Sequence, residues 1–174
     1  MLRPYRLSDV DDHTALFASP QAKRWCSVVQ PYTRAHGLAW CAIDAEAART
    51  SGDGVNWAVT DRRSGAFLAG MGLLRTDWTA RVTEVSGTAS RAAMGHGLAT
   101  EALRAICDWV LVDQAFHRVR IHAAPDNRPC RVLAASCGFT NTGPSPTHPN
   151  LIAYELINPQ LAAVLLPANA HSAG

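Results

Sequence analysis

A glycine-containing loop between a predicted strand and a predicted helix is the segment best suited to chemistry. It consists of Met94, Gly95, His96, Gly97, Leu98, Ala99 and Thr100. Two glycines let the backbone turn sharply and approach a ligand without a Cβ in the way. Because the unpaired amides of residues 95–100 lie at the positive end of a helix dipole, they would form an anion cradle. A diphosphate group is the expected ligand.

Two familiar diphosphate-binding loops fit this segment badly. A P-loop requires G-x-x-x-x-G-K-[ST], and no lysine follows Gly97. A dinucleotide-binding loop has three glycines near the first strand, and here Thr100 occupies the third position, past the middle of the chain. A tight strand-to-helix turn without a ligand is the alternative interpretation of the loop taken alone.

The helices and strands that position this loop can be predicted from the spacing of apolar residues and from turn-forming residues. The pattern predicts the order β-α-α-β-β-β-loop-α-β-α-β-β, a mixed sheet with helices on both faces. Predicted strands cover residues 2–7, 55–59, 67–74, 82–88, 119–123, 139–142 and 151–156, and the main predicted helices cover 33–49, 98–114 and 127–137. One domain is expected over residues 1–158, followed by a partly disordered C-terminal extension over residues 159–174.

Composition restricts the class of protein. The chain has 174 residues, 48% hydrophobic and 17% charged, which excludes a disordered or coiled-coil protein. Five cysteines without a C-x-x-C pair argue against a disulfide framework and a zinc site, and they fit a reducing compartment. With no long apolar run and no signal-like segment, we expect a cytoplasmic protein that does not bind membranes, and from the cysteine pattern we expect no bound metal. Scattered arginines and a net charge of +2 give no reason to expect nucleic-acid binding.

Two motifs in this order resemble the GNAT acetyltransferase superfamily, and in particular its RimJ/RimL-like branch. The family pattern [QR]-x-x-G-x-[GA] is met by Gly97 and Ala99, with Met94 in the Gln/Arg position. Asn127-Arg128-Pro129-Cys130, followed by Gly138-Phe139, resembles the N-x-x-S and G-F signature of the branch. The resemblance covers about residues 1–158 and implies a mostly antiparallel α/β (α+β) sheet of six to seven strands that splay apart where CoA binds.

The resemblance also implies the cofactor and the residues that hold it. Acetyl-CoA would be the cosubstrate, with no metal. Its pantetheine arm would exchange hydrogen bonds with the backbone near Thr88, Ala89 and Ser90, its pyrophosphate would lie on the amides of residues 95–100, and Asn127 would hold the arm by its side-chain amide. The replacement of a Gln/Arg by Met94 removes a polar side chain from the pyrophosphate site.

Candidate catalytic residues follow from the same resemblance. Cys130 stands where the branch has a serine that protonates the departing thiolate, so it is the candidate proton donor. The alternative is that Cys130 only packs in the first turn of a helix. A covalent acyl-enzyme on Cys130 is the least supported of the three interpretations. Glu84 is the first candidate for the base, with an arginine ion pair on the sheet surface as the alternative. His122 on the neighbouring strand is the second candidate, and His96 is expected near phosphate rather than near the amine.

The expected activity is direct transfer of an acetyl group from acetyl-CoA to a primary amine. The acceptor would be a protein N-terminus or a small molecule such as an antibiotic, an amino sugar or an amino acid. Ser86-Gly87-Thr88 replaces the bulkier residues common in the branch, so the acceptor side is expected to differ. Trp25, Trp40, Trp57 and Trp78 would pack the core or line the acceptor cleft. An acyl-CoA-binding protein without turnover is the alternative function, and a monomer or homodimer is expected.

Overall fold

The computed structural model describes residues 1–161, apart from the side chain of Ala92. Its strands are β1 (Leu2–Arg3), β2 (Asn56–Thr60), β3 (Phe67–Asp77), β4 (Val82–Ala89), β5 (Arg118–Ala123), β6 (Thr140–Pro144) and β7 (Ile152–Ile157). Its α-helices are α1 (Val10–Phe17), α2 (Pro20–Trp25), α3 (Arg34–Ala39), α4 (Ala45–Ser51), α5 (Leu98–Asp108) and α6 (Arg128–Ser136). Residues 162–174 of the predicted C-terminal extension lie outside the described residues, and the domain boundary at residue 158 stays a prediction.

The strands form one seven-stranded sheet in the order β1-β2-β3-β4-β5-β7-β6. Every neighbouring pair is antiparallel except β4 and β5, which are parallel. A parallel neighbour requires a crossover connection, and here that connection contains the glycine loop and α5. The predicted mixed, mostly antiparallel sheet is therefore confirmed.

Helices cover both faces of the sheet. On one face α5 and α6 pack on the main core, which includes Val59, Leu73, Val119 and Ile121. Ala58, next to Val59, faces the other way and packs with Leu16 and Phe17 of α1 in a second, smaller core. Successive strand residues point to opposite faces, so the alternation of Ala58 and Val59 separates the two helical layers. No described helix has the length and apolar character needed to cross a membrane.

Local sequence explains where the functional helices begin. Asn127 caps α6 by accepting a hydrogen bond at 3.2 Å from the backbone N–H of Cys130, and Pro129 occupies the first turn, where its missing N–H is harmless. Helix α5 begins without a side-chain cap, because its N-cap residue is Gly97 in the left-handed conformation. The first amides of α5 are therefore left for another acceptor.

Four predicted elements differ from those observed. The first strand ends at Arg3 rather than at residue 7, because Pro4 has no N–H to donate and the Arg6 N–H turns towards the Asp9 carboxylate at 2.8 Å. The helix predicted over 33–49 is divided by a π-helical turn at Trp40–Asp44, and the last turn predicted for 98–114 is also π-helical, at Trp109–Asp113. Pro144 was predicted to lie in a loop, but it is the last residue of β6. Because β6 is an edge strand, the backbone N–H that proline lacks is not needed there.

Candidate functional site

A wedge opens between the parallel strands β4 and β5. They pair only over Val82–Glu84 and Arg118–Arg120. Beyond that point β4 stays with β3 as far as Ala89, while β5 stays with β7 as far as Ala123. Beyond this point the facing edges of β4 and β5 are not hydrogen-bonded to each other. Their backbone N–H and C=O groups are therefore available to a ligand that binds as an extra strand.

The residues predicted to meet the pantetheine arm lie along the β4 side of this wedge. Thr88 is buried and pairs with Gly70, and Ala89 pairs with Ala69. The Ser90 N–H donates to the Leu68 carbonyl at 2.7 Å, which fixes the end of the strand. The Ser90 hydroxyl is buried and has no partner within the described residues.

The glycine loop follows directly, with an exposed backbone. Gly95 and Gly97 have φ of +75° and +73°, and no described atom outside the adjacent residues lies within 4 Å of the position a Cβ would take at either one. In the described part of the chain, the backbone N–H groups of residues 95–100 have no protein acceptor, and the first helical hydrogen bond runs from Glu101 N–H to Gly97 carbonyl at 2.9 Å. These unpaired amides and the free space above them fit the diphosphate of a CoA-type ligand.

The loop side chains add little polar capacity to this cradle. Met94 is exposed, and its thioether cannot supply the donor that a Gln or Arg would. The His96 ring is held on the loop by its Nδ1, 2.8 Å from the Met94 carbonyl oxygen. Leu98, Ala99 and Thr100 are half-buried in the first turn of α5, with Ala99 packed on the main core. Backbone amides are therefore the main hydrogen-bond donors that the loop offers.

Cys130 lies in the first turn of α6, half-buried against the main core. Burial raises the pKa of its thiol to about 11. The thiol therefore keeps its proton at neutral pH, which removes the thiolate that a covalent acyl-enzyme would need. The Asn127 side-chain oxygen is committed to capping α6, so its amide NH₂ is the part left to bind a ligand.

Glu84 is paired with an arginine, as the alternative interpretation of the sequence allowed. Its Oε2 accepts from Arg75 Nε at 2.9 Å and from Arg75 Nη2 at 2.5 Å. Burial alone would raise the pKa of Glu84, but the Arg75 hydrogen bonds and the neighbouring His122 more than offset this and lower it. A carboxylate held in this way is a weak proton acceptor.

His122 stands on the β5 side of the wedge, two residues beyond the last pair with β4. Its side chain is only 6% exposed, and its Nδ1 lies 3.4 Å from Glu84 Oε2. Burial lowers the pKa of His122, and Glu84 opposes this only in part. Neither ring nitrogen has a hydrogen-bond partner among the described residues. A buried imidazole with an unused lone pair can accept a proton or bind an electrophile.

His148 completes this group, although nothing in the sequence analysis pointed to it. It lies in the loop between β6 and β7, and its ring contacts that of His122 at a tilt of 33°, with centroids 4.3 Å apart. Its Nε2 lies 3.8 Å from Glu84 Oε2. The loop is shaped by Ser145, whose Oγ accepts from the backbone N–H groups of Thr147 and His148. Three side chains from β4, β5 and a remote loop thus converge at the mouth of the wedge.

An apolar cavity lies on the α1 side of the sheet. Its volume is about 260 Å³, and its lining comprises His13, Phe17, Val28, Val29, Tyr32, His36, Ala39, Trp40 and Asp44. Phe17 also lies beside Gly70, the partner of Thr88 across β3 and β4. Because Glu84, Ser86 and Thr88 alternate along β4 and share one face, this cavity and the Glu84 group lie on the same face of the sheet.

The predicted roles of the four tryptophans, in the core or lining a cleft, are met only in part, because Trp78 is exposed and Trp25 contacts an arginine. Trp57 packs on the main core and makes an edge-on contact with Trp109 at 5.6 Å between ring centroids. Trp78 makes an edge-on contact with Phe116 at 5.1 Å. Trp40 lines the apolar cavity. Trp25 lies under the Arg24 guanidinium, 4.5 Å from its ring centroid.

Comparison with known proteins identifies the family. Residues 1–140 match the family described as the acetyltransferase (GNAT) domain. The chain belongs to this family. The predicted resemblance to the GNAT superfamily and the predicted enzyme class, an acetyl-CoA-dependent N-acetyltransferase, are therefore confirmed. No protein with a curated description matches this GNAT chain by sequence.

Solved structures share the fold of this GNAT domain at low sequence identity. Spermidine N-acetyltransferase from Vibrio cholerae, solved with CoA and spermine, aligns with TM-score 0.77 and 13% identity over 91% of this chain and 95% of its own. Mycobacterium smegmatis RimJ, solved with CoA-disulfide, aligns with TM-score 0.78 and 18% identity over 92% of this chain and 82% of its own.

A third similar structure is ribosomal-protein-S5-alanine acetyltransferase from Vibrio fischeri, with TM-score 0.76 and 16% identity over 91% of this chain and 92% of its own. RimJ and this enzyme agree with the RimJ/RimL-like branch that the sequence motifs indicate. At these identities the likeness establishes the fold, and the roles of individual site residues stay predictions.

Proposed function

We propose that this protein transfers an acetyl group directly from acetyl-CoA to a primary amine. The observation that carries the proposal is the combination of the β4–β5 wedge with the unpaired amides of residues 95–100. The wedge offers backbone groups to an extended arm, and the amides offer donors to a diphosphate at the end of that arm. Acetyl-CoA supplies the thioester, and the side chains on the α1 face of the sheet receive the amine.

Within this proposal, backbone groups do most of the cofactor binding. Residues Thr88, Ala89 and Ser90 provide the β4 edge, and the NH₂ group of Asn127 faces the same ligand from the start of α6. The amides of residues 95–100 hold the diphosphate, with His96 close to it and Met94 adding no charge. Because these donors belong to the main chain, they bind the ligand without any side-chain reorganisation.

His122 is the proposed base for the incoming ammonium group. It is buried with an unused lone pair, and its lowered pKa keeps it neutral at physiological pH. The Arg75 ion pair that lowers the pKa of Glu84 makes that carboxylate the weaker acceptor, so Glu84 acts by orienting His122 and stabilising its charged form. This ordering reverses the preference for Glu84 drawn from the sequence.

Cys130 remains the proposed donor to the departing thiolate. Its thiol is protonated at neutral pH, which the role requires. Its raised pKa makes it a weaker acid than an ordinary thiol, however, so a hydrogen bond that stabilises the thiolate contributes more than complete proton transfer. Replacement by serine would preserve this hydrogen bond.

The acceptor is proposed to carry an apolar group beside its amine. The cavity lined by Phe17, Tyr32 and Trp40 lies on the face that holds Glu84 and His122. An apolar side chain of a protein N-terminus or of a small-molecule amine would fill it.

The proposal also includes a location in the cytoplasm and a monomeric or homodimeric state. It assigns no role to nucleic acid or to a membrane.

A thiol-release assay tests the proposal. The purified protein is incubated with acetyl-CoA and a panel of primary amines that includes polyamines, amino sugars, amino acids and peptides beginning with Ala or Ser. Free CoA should be released above background with amines that carry an apolar group, and mass spectrometry should show the acetylated amine. Release at the background rate for every amine would contradict the transferase proposal.

Binding of acyl-CoA without turnover is the second candidate function. It is favoured by the Arg75 ion pair on Glu84 and by the raised pKa of Cys130, because both weaken groups that catalysis would use. Calorimetry separates the two functions. Saturable acetyl-CoA binding together with background thiol release would favour the binding protein, whereas binding with turnover supports the transferase.

A further inference from the structure

The side chains of Glu84, His122 and His148 form a group whose composition suits a metal ion. Each offers one ligand atom, and the three atoms lie within 4.8 Å of one another. The separation of His122 Nδ1 from Glu84 Oε2 is 3.4 Å, and that of His148 Nε2 from the same oxygen is 3.8 Å. Tetrahedral sites with bonds of about 2.1 Å place ligand atoms about 3.4 Å apart, so small side-chain rotations would complete the geometry.

His122 is the member whose environment points most directly to a ligand. More than nine-tenths of its side chain is buried, yet neither ring nitrogen has a hydrogen-bond partner among the described residues. A buried polar group without a partner is costly, and such groups in folded proteins are usually paired. A cation bound at Nδ1 would satisfy the nitrogen that faces Glu84.

His148 is oriented by its neighbour in the way that metal-binding histidines commonly are. Its Nδ1 lies 2.8 Å from the Thr147 hydroxyl, and its Nε2 faces Glu84. In the tautomer with the proton on Nδ1, that nitrogen donates to the hydroxyl and the Nε2 lone pair points into the group. A hydrogen bond at the second ring nitrogen fixes the tautomer and raises the basicity of the first.

Arg75 is the competing cation. Its guanidinium occupies Glu84 Oε2, but its side chain is 59% exposed and can move into solvent. Two imidazoles and one carboxylate favour Zn²⁺, Co²⁺, Ni²⁺ or Cu²⁺ over Mg²⁺ and Ca²⁺, which prefer oxygen ligands.

We propose that Glu84, His122 and His148 bind one divalent transition-metal cation of the Zn²⁺ class, in competition with the Arg75 guanidinium. This proposal departs from the sequence-based expectation that no metal binds, which rested on the cysteine pattern; the site uses no cysteine. Its consequence for catalysis rests on the proposed function. A cation on His122 takes the lone pair that the base needs, so the metal-loaded protein should not transfer acetyl groups.

Cobalt(II) binding to the full chain tests the site without any use of activity. Co²⁺ is titrated into the wild type and into His148→Ala, Arg75→Gln and His117→Ala. His117 is an exposed histidine at the opposite end of β5, so His117→Ala is the matched control. Because the chain has five free cysteines, absorption by thiolate-to-cobalt charge transfer shows whether sulfur is a ligand.

The expected result is one Co²⁺ per chain with no thiolate absorption. Binding should be at least about tenfold weaker in His148→Ala, unchanged in His117→Ala and up to about fivefold tighter in Arg75→Gln, where the competing charge is gone. Equal binding by the wild type and His148→Ala, thiolate absorption at one equivalent, or no saturable binding would overturn the proposal. If Co²⁺ binds as expected and acetyl transfer continues unchanged, the metal site stands and His122 is not the base.

Discussion

Substituting valine for Gly97 should weaken CoA binding at least about 100-fold while leaving the protein folded. Gly97 has φ of +73°, and among residues 1–161 no atom outside its two chain neighbours lies within 4 Å of its Cβ position. The side chain therefore meets no steric clash with the protein, and it projects from the loop that carries the unpaired amides. The cost to stability is the left-handed conformation itself, about 1–2 kcal/mol.

The expected loss of affinity can be worked out from the same loop. If valine keeps a diphosphate from reaching two of the amides of residues 95–100, two hydrogen bonds to a charged group are lost. Each contributes about 1.5–3 kcal/mol, so CoA should bind at least about 100-fold more weakly. Isothermal titration calorimetry with CoA measures the affinity, and thermal unfolding measures the stability.

Gly52→Val is the matched control for this substitution. Gly52 also has a left-handed conformation, with φ of +84°, and its added Cβ would make only ordinary contact with Trp78 at 3.5 Å. It lies beside the β3–β4 hairpin, at the opposite end of β4 from the loop. Both variants should lose about 2–8 °C in Tm, but only Gly97→Val should lose CoA affinity. If folded Gly97→Val bound CoA as tightly as Gly52→Val does, the loop would not be the diphosphate site.

Three further predictions concern the catalytic group, the thiol and the pH dependence of stability. His122→Gln should lower kcat by about 10²–10⁴-fold and remove the acidic limb of the kcat–pH profile, because burial lowers the pKa of His122; a larger loss in Glu84→Gln would make the carboxylate the base. Cys130→Ala should lower kcat more than CoA affinity, while Cys130→Ser should retain most of kcat, and equal kcat in the two variants would exclude a donor role. Burial lowers the pKa of His13 from 6.5 to about 4, so the unfolded chain binds the extra proton in that interval and stability falls as pH drops from 6.5 to 4. Between pH 7 and pH 4, the free energy of unfolding measured with urea should fall by about 3 kcal/mol more in the wild type than in His13→Phe. Equal decreases in the two proteins would refute the assignment.

The sequence predicted the order of the elements and the loop because both depend on local patterns. The glycines at 95 and 97 have the left-handed φ that their residue type allows, and the Asn127–Pro129 start of α6 is present as expected. The first strand was predicted too long because the residue types at positions 2–7 do not reveal that the Arg6 N–H turns to meet the Asp9 carboxylate. The π-helical turns have no comparable local signal in the sequence.

The site itself was predicted only in part, because its polar group is assembled across the sheet. Glu84 and His122 were found from their strands, but Arg75 reaches Glu84 from β3, and His148 reaches it from the loop before β7. The proximity of His148 depends on β7 pairing with β5, which brings the loop back beside His122. Strand order of this kind cannot be read from spacing along the chain, so neither partner could be placed in advance.

Hydrogen–deuterium exchange in the presence of CoA tests the central claim most directly. Without ligand, the amides of residues 95–100 have no acceptor within residues 1–161 and should exchange rapidly. Saturating CoA should slow them by at least about tenfold, together with the unpaired edge of β4 near Thr88, and should leave the 61–65 turn unchanged. Binding of CoA with no change in exchange at residues 95–100 would contradict the assignment of these amides as the diphosphate cradle.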